Sequence, residues 1–94
     1  MKETKKELEV RALKLVRADS DFIDDLINLR LKNGISQETV AARMGVSQPS
    51  IAAFEREDAN PTLSTIRRYA LAVGAHISYE VTDSFESRSK KKSK

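Results

Sequence analysis

The stretch from Ser36 to Glu55, SQETVAARMGVSQPSIAAFE, constrains this chain more than any other. It holds two helix starts and one helix stop. Ser36 precedes the run from Gln37 to Met44, and Gly45 ends that run. Ser47 opens a second run from Gln48 to Phe54, with Pro49 in its first turn. A serine side chain accepts from the unpaired N–H groups at a helix start, glycine takes the left-handed conformation past a helix end, and proline is tolerated in a first turn. Two helices joined by so short a turn cross at a steep angle, and the second is presented outward.

Periodicity organises the rest around that pair. Residues 4–17 are expected to be helical, with Leu8, Ala12 and Leu15 on one face and Val16 beside them. Ala18-Asp19-Ser20-Asp21 reads as a break, with Ser20 or Asp21 capping a second helix from about Phe22 to Asn33. That helix carries two apolar stripes, Phe22-Leu26-Leu29 and Ile23-Ile27-Leu31, one more than a surface helix needs. The second stripe calls for cover, by the N-terminal helix folding back or by a partner chain. In the central pair, Val40, Ala41, Met44, Ile51 and Phe54 point inward, and Val46 plugs the turn. Thr62 caps a last helix, Leu63 to Val73, whose inner face is Leu63, Ile66, Ala70 and Val73 with Tyr69 at its border. Residues 75–82 then alternate, with Ile77, Tyr79 and Val81 on one face, which is a strand signature. A lone strand leaves its backbone unpaired. Its simplest partner is the same strand of a second copy, which makes Ile77, Tyr79 and Val81 dimerisation candidates; the alternative is an extended tail packed by side chains alone.

Composition narrows the function classes. The 94 residues suit one small domain with a modest core. There is no cysteine, and His76 is the only histidine, so disulfides, Cys-based metal sites and a protein-only zinc site are not expected. His76 itself reads as structural. No metal or other cofactor is expected, no apolar run approaches a membrane span, and the default location is the cytoplasm. The acidic pairs Asp24-Asp25 and Glu57-Asp58 are adjacent in sequence and read as helix-start and loop charges, so no enzyme and no small-molecule substrate are expected. The net charge of +3 sits at the ends: residues 20–75 hold six Lys/Arg against seven Asp/Glu. Any affinity for nucleic acid must then come from a local patch and the tails.

The run S-Q-E-x-V-A-x-R-M-G-V-S-Q-P-S-I-x-x-F-E, followed by N-P-T-L-S-T-I-R-R-Y-A, resembles the phage-repressor and Cro type helix-turn-helix domain, the XRE family. The resemblance covers about residues 22–75. It implies an all-α, five-helix repressor/Cro-like domain, to which the alternation adds one C-terminal β-strand. The expected divisions are an N-terminal helix or arm at 1–19, a DNA-binding domain at 20–75, a strand at 76–83 and a disordered basic tail at 84–94. Residues 61–81 also look like the end of small XRE-type proteins with one C-terminal strand, several of which are antitoxins.

The resemblance implies that the second helix of the pair lies in the major groove of double-stranded DNA. Gln48 is then the first base-facing residue. Its amide can donate and accept at once, as adenine N6 and N7 require. Pro49, Ala52 and Ala53 can offer only apolar contact to thymine methyls, and Ser50 sits at the edge. In the family the position of Gln37 binds phosphate and often touches the glutamine matched by Gln48. Arg43, Arg56, Asn60 and Thr62 are further phosphate candidates, each equally readable as ordinary surface. Glu57 and Asp58 depart from the common Gly-Lys pattern of that loop and weaken a phosphate contact there. The family also implies a structural pair between Arg30 and Glu55. Arg67 and Arg68 could face DNA, a partner or solvent. Two functions follow: a homodimeric DNA-binding regulator on an inverted repeat, or an antitoxin that binds a toxin protein and represses its own operon.

Overall fold

The computed structural model describes residues 2–86. Its helices are α1 (Lys5–Lys32), α2 (Gln37–Met44), α3 (Gln48–Phe54) and α4 (Leu63–Val73), followed by a single 3₁₀ turn at Ser84–Glu86. Helix starts are set locally. Thr4, Ser36, Ser47 and Thr62 all accept a backbone N–H at the head of a helix, and Thr4 with Glu7 forms a full capping box. Gly45 closes α2 at φ 71, where a side chain would be strained, and so permits the sharp turn into α3.

The core lies where α2, α3 and α4 meet the C-terminal half of α1. It comprises Leu26, Val40, Ala41, Met44, Ile51, Phe54, Ile66, Tyr69, Ala70, Ala72 and Val73. Phe54 and Tyr69 stack with ring centroids 4.3 Å apart, a geometry that adds to plain burial. Tyr69 is fully buried and Leu63 is exposed, the reverse of their expected places on α4. The centre of the α4 face lies at Ile66-Tyr69-Ala70-Val73, and Leu63 falls beyond the edge of the core.

Two expectations are overturned. The described residues hold four α-helices and not five: what read as two N-terminal helices is one, continuous through Ala18-Asp19-Ser20-Asp21. Aspartate and serine are good caps, but inside a helix each costs only about 0.5 kcal/mol relative to alanine, and neither Gly nor Pro interrupts the run. The N-terminal part therefore cannot fold back over Ile23, Ile27 and Leu31. Nor is a C-terminal strand found among the described residues, of which 75–83 carry no regular secondary structure. The alternation is real but serves another purpose: Ile77 packs against the core, while Tyr79 and Val81 face outward. The tail expected to be disordered from 84 begins with an ordered turn, in which Phe85 lies 5.1 Å below the Arg11 guanidinium. The rest of that tail, 87–94, lies outside the described residues.

At about 1.5 Å per residue α1 is about 42 Å long, and it sets the 48 Å long axis of the molecule. The radius of gyration is 16.9 Å, against about 12 Å for a compact chain of this length. The N-terminal half of α1, exposed along most of its length, extends beyond the core as an arm. No helix among the described residues is long and apolar enough to cross a membrane.

Candidate nucleic-acid interface

Four helices converge on one carboxylate. Glu55, the residue after α3, accepts four hydrogen bonds. Its Oε2 takes Arg30 Nε at 2.7 Å and the Tyr69 hydroxyl at 2.6 Å, and its Oε1 takes Arg30 Nη2 and Gln37 Nε2, both at 2.9 Å. Arg30 comes from α1, Gln37 from α2 and Tyr69 from α4. The Arg30–Glu55 ion pair is bidentate, and both side chains are only 9% exposed. Arg30 Nη1 also donates to the Ile35 carbonyl, so the guanidinium clamps the α1–α2 connection as well.

The electrostatics follow from burial and pairing. Burial pushes the Glu55 carboxyl up, but the hydrogen bonds from Arg30, Tyr69 and Gln37 outweigh it and hold the group below its ordinary value. Burial and the neighbouring carboxylate together push the Tyr69 hydroxyl well above its ordinary value. The hydrogen bond to Glu55 raises the Arg30 guanidinium further. Near neutral pH the site is therefore a carboxylate, a guanidinium and a neutral phenol.

That charge state fixes the polarity of the next two side chains. A carboxylate can only accept, so Gln37 must turn its Nε2 toward Glu55. Gln37 Oε1 then faces outward and accepts from Gln48 Nε2. The outward side of the Gln48 amide is left with Oε1 and one N–H.

The other expected site residues divide into those on the exposed face of α3 and those engaged elsewhere. Pro49, Ser50 and Ala53 are exposed and Ala52 is half-buried. The Ser50 hydroxyl is shared with Ser47 Oγ at 2.8 Å. Arg56 pairs with Asp58 at 3.1 Å on the open surface. Arg43 reaches the Ala72 carbonyl at 2.7 Å, in the last turn of α4. Asn60 is exposed, and Thr62 caps α4. Both ends of the Gln37 amide are engaged, one by Glu55 and the other by Gln48, which leaves the backbone at the head of α2 for any further contact.

Sequence reasoning missed two anchors. Tyr69 joins the Glu55 network from α4; its placement on the buried period of that helix was the available signal. Arg68 donates from α4 to the Met44 carbonyl, at the end of α2. Arg43 and Arg68 thus each satisfy a carbonyl in the last turn of the other's helix, where cations are favoured. Nothing in the local sequence announces this exchange. Among the described residues no cluster of His, Cys, Asp or Glu is arranged to hold a metal ion.

A helix-turn-helix family model matches residues 26–79, more than half of the chain and all of the geometry just described. The chain belongs to the helix-turn-helix family of the repressor and Cro (XRE) type. Antitoxin HigA1 of Mycobacterium tuberculosis is 49% identical over 56 residues, a match that covers 60% of this chain and 38% of that protein. An uncharacterised HTH-type transcriptional regulator of Sinorhizobium fredii is 42% identical over 50 residues, covering 52% of this chain and 65% of the relative. One from Haemophilus influenzae is 38% identical over 57 residues, covering 61% and 58%. The chain therefore spans less than two thirds of each of these relatives. No solved structure matches it.

Proposed function

We propose that this protein is a sequence-specific transcriptional regulator that binds double-stranded DNA as a two-fold dimer on an inverted repeat, with α3 in the major groove. One observation carries the reading: the outward side of the Gln48 amide holds an acceptor and a donor together, with its polarity set from the core. That pattern matches adenine N7 and N6. Pro49, Ala52 and Ala53 contribute apolar contact with thymine methyls and let α3 approach closely, while Ser50 meets the groove edge. The backbone at Gln37 and the exposed side chains of Arg56 and Asn60 position the domain on phosphates without reading sequence, whereas Arg43 and Thr62, also candidates from the sequence, are held by the Ala72 carbonyl and by the cap of α4. In a two-fold dimer the half-sites lie about 34 Å apart, one helical turn. A DNA-bound regulator of this kind works in the cytoplasm and needs neither cofactor nor substrate.

The test is selection of bound sequences by the wild-type chain and by Gln48→Ala. Loss of preference at one base pair of each half-site, worth about 1–3 kcal/mol, is expected. An unchanged preference overturns the assignment of Gln48 as reader.

A second reading is favoured by one observation, the likeness to an antitoxin. Here the chain also binds a toxin protein and represses the operon that encodes both. Growth arrest by the product of an adjacent gene, relieved when this chain is co-expressed, supports that reading; an adjacent product that is harmless alone excludes it.

A further inference from the structure

The segment after α4 brings the two ends of the chain together. Residues 75–78 lie beside Phe22, Leu26 and Leu29 of α1, and Ser84 and Phe85 lie beside Lys2, Lys6 and Lys14. The segment therefore returns along α1 from the core to the start of that helix. Phe85 meets the Arg11 guanidinium there, and its backbone N–H donates to Asp83 at 2.9 Å, which closes the turn.

Charge sets this end apart. Residues 2–17 carry six Lys/Arg against three Glu, and residues 87–94, which continue from the turn, carry five Lys/Arg and no acid. Residues 18–86 carry six Lys/Arg against eleven Asp/Glu. The part of the chain that holds α3 is therefore short of five positive charges, while the two segments that Phe85 joins supply an excess of eight. The two acids beside Phe85 are already engaged. Glu3 accepts both hydrogen bonds of Arg11, and Glu7 accepts the Thr4 N–H of the capping box. Lys2, Lys6 and Lys14 are exposed and form no ion pair among the described residues. A polyanion is the ligand that such an end attracts.

Position decides what the charge reaches. α1 is continuous from its start to Arg30, which anchors the end of α3 through Glu55. At about 1.5 Å per residue, Lys14 and Lys6 lie about 24 and about 36 Å along the helix from that anchor. This is about one turn of duplex DNA, roughly 34 Å, so phosphates met by these lysines lie outside the base pairs under α3. A contact carried on the same rigid helix is intramolecular, at an effective concentration that a separate duplex does not reach.

We propose that Lys2, Lys6 and Lys14 of the arm and the basic residues after Glu86 form one sequence-independent contact with the phosphates of DNA flanking the bases read by α3. The inference rests on the reading of the chain as a DNA-binding protein but not on Gln48. Its test uses duplex of unrelated sequence, on which Gln48→Ala should behave as the wild type, so it can fail independently of the Gln48 experiment.

Affinity is measured between about 50 and about 200 mM salt on unrelated duplexes of about 40 and about 10 base pairs. On the long duplex, Lys2→Gln/Lys6→Gln/Lys14→Gln should flatten the slope of log affinity against log salt by about 3, so that this rise in salt costs the wild type about fortyfold more than the variant. Truncation after Glu86 should flatten the slope on the long duplex as well. The short duplex ends before the lysines arrive, and there the triple variant should match the wild type. Circular dichroism should be unchanged, because the substituted lysines are exposed. Either variant keeping the wild-type slope on the long duplex overturns the proposal. An equal loss by the triple variant on both lengths also overturns it, because that marks net charge rather than a contact. So does coincidence of two differently labelled duplexes on the wild type that the triple variant abolishes, which places the contact on a second duplex.

Discussion

Gln48 donates its side-chain amide to Gln37, and the direction of that hydrogen bond is dictated one step further in, by the carboxylate of Glu55. Neither glutamine could fix its own polarity, because an amide can be turned over at little cost where its partners both donate and accept. The ionised Glu55 removes that freedom. A buried charge thus sets which atoms of a half-buried side chain face outward, through a chain that begins at Arg30 and Tyr69.

Removing the carboxylate should cost far more than one surface contact. Glu55→Ala leaves Arg30 buried without its partner, and breaking such a pair typically costs about 3–5 kcal/mol. Urea unfolding should show this loss, and DNA binding should fall with it. A midpoint within error of wild type would mean that the pair does not hold α3 to the scaffold.

Acid should weaken the fold through the same group. The folded value of Glu55 lies below its unfolded one. Its contribution is therefore complete above the unfolded value, about 4.3, and is lost as pH falls through the lowered folded value. Stability measured against pH should drop in that acid window, and Glu55→Gln should flatten the drop.

Tyr69 makes the opposite prediction at high pH. Its folded value is raised, so its contribution is complete below the unfolded value, about 10, and is lost as pH rises from there through the folded value. Tyr69→Phe should remove part of this alkaline loss. At neutral pH the substitution deletes one hydrogen bond to a charged acceptor, worth about 1.5–3 kcal/mol. Thermal unfolding at neutral and alkaline pH checks both effects.

Arg68 separates scaffold from interface. Its hydrogen bond to the Met44 carbonyl ties α4 to the end of α2. Arg68→Ala should lower stability by about 1–2 kcal/mol while leaving the salt dependence of DNA binding unchanged, because no phosphate contact is lost. A shallower slope of log affinity against log salt would place Arg68 on DNA.

The parts of the fold that local chemistry decides could be read from the sequence. Ser36, Ser47 and Thr62 start α2, α3 and α4, and Gly45 and Gly74 stop α2 and α4, because caps act within a few residues. What escaped was settled at longer range. Ser20 and Asp21 looked like a helix start, but a cap preference loses to an unbroken helical run. Residues 75–82 alternate like a strand, yet pairing needs an edge that the described residues do not supply. At the site, the extent of α3 was legible from its cap and its Pro49. The links from Tyr69 to Glu55 and from Glu55 to Gln37 cross between helices, and no spacing along the chain reveals them.

The most direct measurement is a double-mutant cycle on DNA affinity with Gln37→Ala, Gln48→Ala and the pair, each checked for unchanged circular dichroism. If Gln37 acts by orienting Gln48, the double variant should bind about as weakly as Gln48→Ala alone, giving a coupling of about 0.5–3 kcal/mol. Additive losses from the two substitutions would contradict a hydrogen-bonded chain running from Glu55 to the reading face.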